Sequence, residues 1–438
     1  MMAKPRVLFV LPWLPYPMTS GGHQAIFNGI KAICDYADIF ITYIDNGKNT
    51  TNDINSFRKA IGKCQVCPFI KPQSIVLPAK EPWYIRCISK YKSLRHSIKL
   101  LLKRMVSGGE SHPQNANINT QEYKNWLNVL FPFDEYFALY VRDIVVNERI
   151  DIVQCEMIRN ANIVLFLPPK VKKVFVHHEL RTVRYSLEMP AIKGDITTKK
   201  AYLDFFEICE VGLLNKFDAV ITLSKTDKEK LEGEGVTSRI YPSTAIVSTE
   251  IVEIPTSKRY NVLTFIGSDS HSPNSVGILW FLENCWNTIL EEDDSYQLKI
   301  IGMWSEDFKK PIISRYQNVS FTGFVEDLKS EIQDTIMIVP ITIGSGIRMK
   351  ILEAASIGVP IVSTTIGAEG LPMVDGQTCL IADNPSSFIS AIQKYQNPDL
   401  RISVIISAQN MIRKYYCFDT FAANRKSVYN VILNGQSS

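Results

Sequence analysis

Along this chain, short apolar runs alternate with longer amphipathic stretches, a pattern that predicts strands and helices in turn. Strands are expected at 6–12, 38–44, 150–155, 172–177 and 218–223, with helices at 22–36, 82–106, 119–148 and 198–216. A segment rich in Thr, Ser, Gly and Pro, 232–260, then reads as a linker. Beyond it strands are expected at 261–267, 297–302, 318–322, 335–340 and 359–364, with helices between them and a last helix at 418–433. Strands alternating with helices imply parallel sheets covered on both faces, so the expected class is α/β with two doubly wound units. Ligands in such sheets bind beyond the carboxyl ends of the strands, which places the expected site in the cleft between the units.

Composition adds limits. A chain of 438 residues is too long for one core and suits two domains. Hydrophobic content of 46% and charged content of 21% are those of a soluble globular protein. No apolar run reaches the roughly 18 residues a membrane span needs. The run RVLFVLPWLP at 6–15 is short, broken by Pro and followed by a glycine loop, so it reads as the first strand rather than a signal peptide. Nine scattered cysteines without a disulfide framework fit a reducing cytoplasm, the expected location. Cys64 and Cys67 form a lone CxxC with no second pair and no His at metal spacing, so two incidental thiols are favoured over zinc. A net charge of +4 and the lack of a base-stacking platform argue against nucleic acid.

The richest stretch is 340–371, PITIGSGIRMKILEAASIGVPIVSTTIGAEGL, which reads as strand, glycine turn, helix, strand and second glycine turn. An apolar strand, Ile336–Pro340, runs into Gly344-Ser345-Gly346, where missing side chains let backbone N–H groups approach an anion. A helix expected from near Ile347 aims its positive end at the same spot, and Arg348 and Lys350 add two charges within a turn. Glu353, further along, suits vicinal sugar hydroxyls. Phosphate and sugar hydroxyls together point to a nucleotide; an ordinary α/β loop with a solvated basic helix start is the alternative.

This segment resembles the nucleotide-sugar-dependent glycosyltransferases of family 4, in the branch reading Pro, glycine turn, Arg-x-Lys, Ile-Leu-Glu-Ala, Gly-x-Pro-Val-Val-Ser-Thr and Gly-Ala-Glu-Gly. The likeness extends to FIGSDSHSPNSVGILWFLENCW at 265–286, TGFVED at 322–327 and PYPMTSGGHQAIF at 15–27. It implies a GT-B fold: two Rossmann-like doubly wound parallel-sheet domains facing a central cleft. The expected division is an acceptor-side domain at 1–240, a linker at 241–260, a nucleotide-sugar domain at 261–417 and a terminal helix at 418–438 packing back on the first domain. Gly21 and Gly22 would then lie beside the donor diphosphate, although a plain glycine loop with Ser20 as helix cap fits the same residues. In VHHELRTVRY at 176–185, His178 is the better match to the branch's histidine, which would hydrogen-bond the donor sugar near the reacting carbon. Arg181 and Arg184 either serve phosphate or solvate a helix. Glu369 either orients a donor hydroxyl or caps a helix. Many members carry two glutamates eight positions apart; here the first falls on Ser345 and the second is Glu353.

Other chemistries fit less well. Neither glycine pair continues as G-x-G-x-x-G with an acid about 20 residues on, which argues against a nicotinamide enzyme. The chain holds no Asp-x-Asp, so the turn, helix end, Arg348 and Lys350 are expected to neutralise the leaving diphosphate without a metal. No cofactor is expected beyond the nucleotide-sugar, which is a co-substrate. The resemblance implies retention of configuration and a glycan or lipid-linked acceptor in bacterial surface polysaccharide or glycolipid assembly. The insert at 80–104 carries eight Lys or Arg against one Glu, interleaved with Trp83, Tyr84, Ile85 and Leu94. It fits an anionic membrane surface, or a helix packed on its own domain. Two rivals share the architecture: a nucleotide-sugar epimerase, and a catalytically silent nucleotide-sugar-binding subunit.

Overall fold

The computed structural model describes residues 4–18, 20–47, 49–71, 134–189, 195–247 and 260–435. Its first sheet holds β1 (Arg6–Val10), β2 (Asp38–Asp45), β3 (Cys64–Ile70), β4 (Ile152–Glu156), β5 (Lys172–His177), β6 (Ala219–Thr222) and β7 (Arg239–Pro242). The second holds β8 (Val262–Ile266), β9 (Gln297–Ile301), β10 (Val319–Gly323), β11 (Ile336–Val339), β12 (Ile361–Ser363) and β13 (Leu380–Ile381). Their orders are β3-β2-β1-β4-β5-β6-β7 and β10-β9-β8-β11-β12-β13. All pairings between these strands are parallel.

Helices α1 (Gly21–Ile33), α2 (Thr51–Ile61), α3 (Glu135–Asn147), α4 (Arg181–Glu188), α5 (Ile196–Leu214) and α6 (Lys225–Gly233) accompany the first sheet. With the second run α7 (Ser272–Phe281), α8 (Asn287–Glu292), α9 (Glu306–Arg315), α10 (Leu328–Ile332), α11 (Met349–Ile357), α12 (Thr365–Ala368), α13 (Pro385–Lys394) and α14 (Pro398–Tyr415). The last helix, α15 (Phe418–Asn434), crosses back. Its Phe421, Val428, Tyr429 and Ile432 are buried in the first domain's core, and Phe421 lies over Gly29 of α1.

Alternation along the strands explains the layering. Val7 and Phe9 of β1 face the cluster shared with α1 and α15, while Leu8 and Val10 face the opposite cluster with α3. One cluster around Phe265, Trp286, Ile338 and Leu352 forms the second domain's core. No helix among the described residues is long and apolar enough to cross a membrane.

Three strands and three helices depart from the sequence reading. β7 lies inside the stretch read as linker, because a four-residue edge strand carries too little apolar pattern. β3 carries Cys64, Cys67 and a Pro, and β13 has only two residues. α2, α4 and α6 are mostly polar; α2 buries only Phe57 and Ile61 and is held by a Thr50–Asp53 capping box. The basic insert at 80–104 and the helix expected at 82–106 lie outside the described residues, as do 248–259 of the linker.

Candidate active site

In both sheets the loops leaving the carboxyl ends of the strands meet across one cleft. Ser345 Oγ donates to the Leu180 carbonyl at 2.8 Å, and Ser272 Oγ donates to Glu188 at 2.6 Å. A Cβ placed on Gly21 would lie 3.0 Å from Met349 Cβ, and one on Gly370 would lie 3.1 Å from Ser224. The cleft is thus closed by direct contacts between three segments of each domain.

The glycine turn folds as its sequence requires. Gly344 and Gly346 have φ of +123° and +75°, conformations that favour glycine. A Cβ on Gly346 would also sit 2.6 Å from the His178 carbonyl oxygen, so the small residue is needed for contact between domains. The helix starts at Met349 rather than near Ile347, with Arg348 as N-cap, because the turn extends two residues further. Among the described residues no hydrogen bond engages the N–H groups of Gly344, Ser345, Gly346, Gly21 or Gly22.

Two helix amino ends therefore converge: α1, capped by Ser20 through the His23 N–H, and α11. Neither has an acidic residue in its first turn, so their positive ends are uncompensated. Arg348 turns its guanidinium onto the Ser345 and Gly346 carbonyls, while its buried Nη2 has no partner among the described residues. Lys350 Nζ donates to Asn274 at 2.8 Å and lies 4.4 Å over the Phe265 ring. Burial, reinforced by Arg348, pushes Lys350 down to about 7. His271, which caps α7, is pushed down to about 4 by burial and by Arg184, Lys350 and Arg348, against the pull of Glu179. The second domain thus gathers, beside the uncompensated end of α11, cations whose charge burial disfavours.

The histidine pair divides sharply. His177 Nε2 lies 2.9 Å from Glu210, both fully buried, and Thr182 bonds the same carboxylate, so His177 holds the core together. His178 is nearer the cleft, with Nε2 2.6 Å from Glu156 Oε2. Arg181 and Arg184 do not stand free for phosphate: each pairs with Glu179 at 3.3 Å, and Arg184 also reaches Glu188 and Ser272. Burial works to raise Glu179, but Arg181, Arg184, His271 and Arg348 outweigh it and hold the carboxyl low.

The other two glutamates also have partners. Glu353 is raised by burial, against a hydrogen bond from Gln24 of α1 and the charge of Lys350, so it bridges the cleft. Glu369 accepts from Lys230 of α6 at 2.7 Å. Sequence reading missed Lys230, Glu156 and Gln24, which carry no motif. Asn274 had a signal in the Ser-Pro-Asn helix start, since its amide bridges Lys350 and the Ser268 carbonyl.

Comparison with known proteins places this geometry. Residues 260–397 match the family model described as glycosyl transferases group 1. The whole two-domain arrangement is the GT-B fold. It is shared with TarM of S. aureus, solved with fondaparinux, α-GlcNAc-glycerol and UDP, at a TM-score of 0.64 and 13% identity over 97% of this chain and 100% of that one. It is also shared with HepE of Anabaena in complex with UDP, at a TM-score of 0.61 and 12% identity over 97% and 99% of the two chains. A protein of the cps region of Klebsiella pneumoniae is 26% identical over 276 residues, covering 58% of this chain and 68% of that one. The matched model covers the second domain, and the solved structures share the fold of the whole chain.

Proposed function

We propose that the protein is a retaining, metal-independent glycosyltransferase of family 4. It moves a hexose-type sugar from a nucleotide-sugar to a glycan or lipid-linked glycan in surface polysaccharide or glycolipid assembly. The observation that carries this reading is the meeting of the α1 and α11 amino ends beside Arg348 and Lys350, opposite His178. Departure of a nucleoside diphosphate leaves two or more negative charges on its phosphates. The free N–H groups of Gly344, Ser345, Gly346, Gly21 and Gly22 are suited to receive them, with the unpartnered Arg348 Nη2. His178, held by Glu156, faces the sugar side, and the oxocarbenium-like sugar is attacked by the acceptor hydroxyl from the face the leaving group vacates. Glu353 and Glu369 serve donor hydroxyls by exchanging Gln24 and Lys230 for ligand when the cleft opens.

Support comes from the UDP carried by TarM and HepE and from the cps region in which the Klebsiella relative lies. The division at 1–240, 241–260, 261–417 and 418–438, the cytoplasmic location and contact of 80–104 with an anionic membrane belong to the same proposal. The test is a thermal-shift screen with UDP-glucose, UDP-GlcNAc, GDP-mannose and ADP-glucose, followed by assay of hydrolysis and transfer. One donor should stabilise the protein and Arg348→Ala should abolish its turnover with the fold intact. Stabilisation by none of them would overturn the reading, and donor interconversion without transfer would favour an epimerase.

A further inference from the structure

A buried chain of hydrogen bonds runs from the last helix to the candidate active site. Arg425 Nη1 donates to Gln154 Oε1 at 2.9 Å, and the Tyr429 hydroxyl donates to the same oxygen. The Gln154 amide nitrogen in turn donates to Glu156 Oε1, and Glu156 Oε2 faces His178 Nε2 at 2.6 Å. Gln154, Glu156, Arg425 and Tyr429 are 1%, 4%, 4% and 0% exposed, so water does not compete for these bonds. Gln154 and Glu156 are two apart on β4 and so share the sheet face that α15 covers.

The direction of the chain follows from its members. Arg can only donate, so the atom of Gln154 turned toward α15 is the carbonyl oxygen and the NH2 group must face Glu156. A carboxylate can only accept, so while one oxygen accepts from the Gln154 N–H, the other accepts from a His178 Nε2–H. We infer that Arg425 and Tyr429 are positioning residues of the transfer site: through Gln154 and Glu156 they hold His178 as the Nε2–H tautomer, leaving Nδ1 as the open nitrogen. This rests on the reading of His178 given above only for its effect on turnover; the tautomer itself is independent of it.

The test uses the full-length protein labelled with 15N-histidine, whose six imidazoles are assigned with the help of His178→Gln. At mildly alkaline pH, His178 should show a protonated Nε2 and a bare Nδ1. Glu156→Gln, whose amide can donate to Nε2, should reverse this pattern, and Tyr429→Phe with Gln154→Leu should broaden or mix it. Turnover of UDP-glucose should then fall about 10- to 100-fold in kcat with KM nearly unchanged, as for other groups that orient a working histidine. An unchanged His178 spectrum in Glu156→Gln, or in Gln154→Leu should the first variant not fold, would overturn the inference. A reversed tautomer with unchanged turnover, together with an active His178→Ala, would instead count against the proposed role of His178.

Discussion

Replacing Lys350 by Met tests the charge balance of the candidate phosphate site. Burial and Arg348 push the Lys350 amine to about 7, against 10.5 for an ordinary lysine. Between those values the unfolded chain binds a proton that the folded chain does not, so stability rises with pH through this window and the penalty is complete below about 7. The gap corresponds to at most about 5 kcal/mol. Met keeps the stem over Phe265 and removes the titration, at the cost of leaving Asn274 Oδ1 without its donor, about 1–3 kcal/mol. That cost does not depend on pH and cancels in the comparison. Urea unfolding of both proteins from about pH 6.5 to about pH 9.5 should show the stability difference moving by about 3 kcal/mol in favour of wild type. Parallel curves would refute the argument. A diphosphate beside Lys350 should restore its charge, so UDP binding near pH 8 should take up close to one proton, seen in calorimetry as a dependence on buffer ionisation enthalpy. Buffer-independent heats would show that the amine does not meet the phosphates.

Three further outcomes follow from the contacts. Gly346→Ala places a Cβ 2.6 Å from the His178 carbonyl at a φ of +75°, so it should cost about 1–3 kcal/mol in thermal unfolding; an unchanged melting temperature would mean that the domains do not meet there. Gly302→Ala brings a Cβ 2.0 Å from the Gly267 carbonyl, and should prevent folded protein from accumulating in a soluble-expression assay. Lys230 and Glu369 are each about a third exposed, so a double-mutant cycle should give a coupling below about 1 kcal/mol; a larger value would mean that the pair is dry.

Much of the scaffold was legible because parallel strands buried on both faces must be continuous apolar runs. β1, β2, β5, β8, β9 and β11 were found within a few residues for that reason. Polar helices such as α2 and α6 gave no such signal, since caps and exposed faces hold them rather than a wide apolar stripe. In the candidate site, Gly344-Ser345-Gly346 and Arg348 could be read because a turn at positive φ next to a helix start leaves glycines in the sequence. The pairing of Arg181 and Arg184 with Glu179 could not, because free and paired arginines look alike in a sequence.

By itself the sequence determined two doubly wound parallel sheets, a glycine turn that opens a helix, and two cations within one turn of it. These are local features, governed by periodicity and by the conformations a residue allows. Only the tertiary structure decided that α1 and α11 meet end to end, that His177 is a core residue while His178 lies beside the cleft, and that Arg425 and Tyr429 reach Glu156 through Gln154. The hydrogen bonds among these join residues up to 275 positions apart, and their strength comes from being shut away from water, a condition that exists only once the chain has folded.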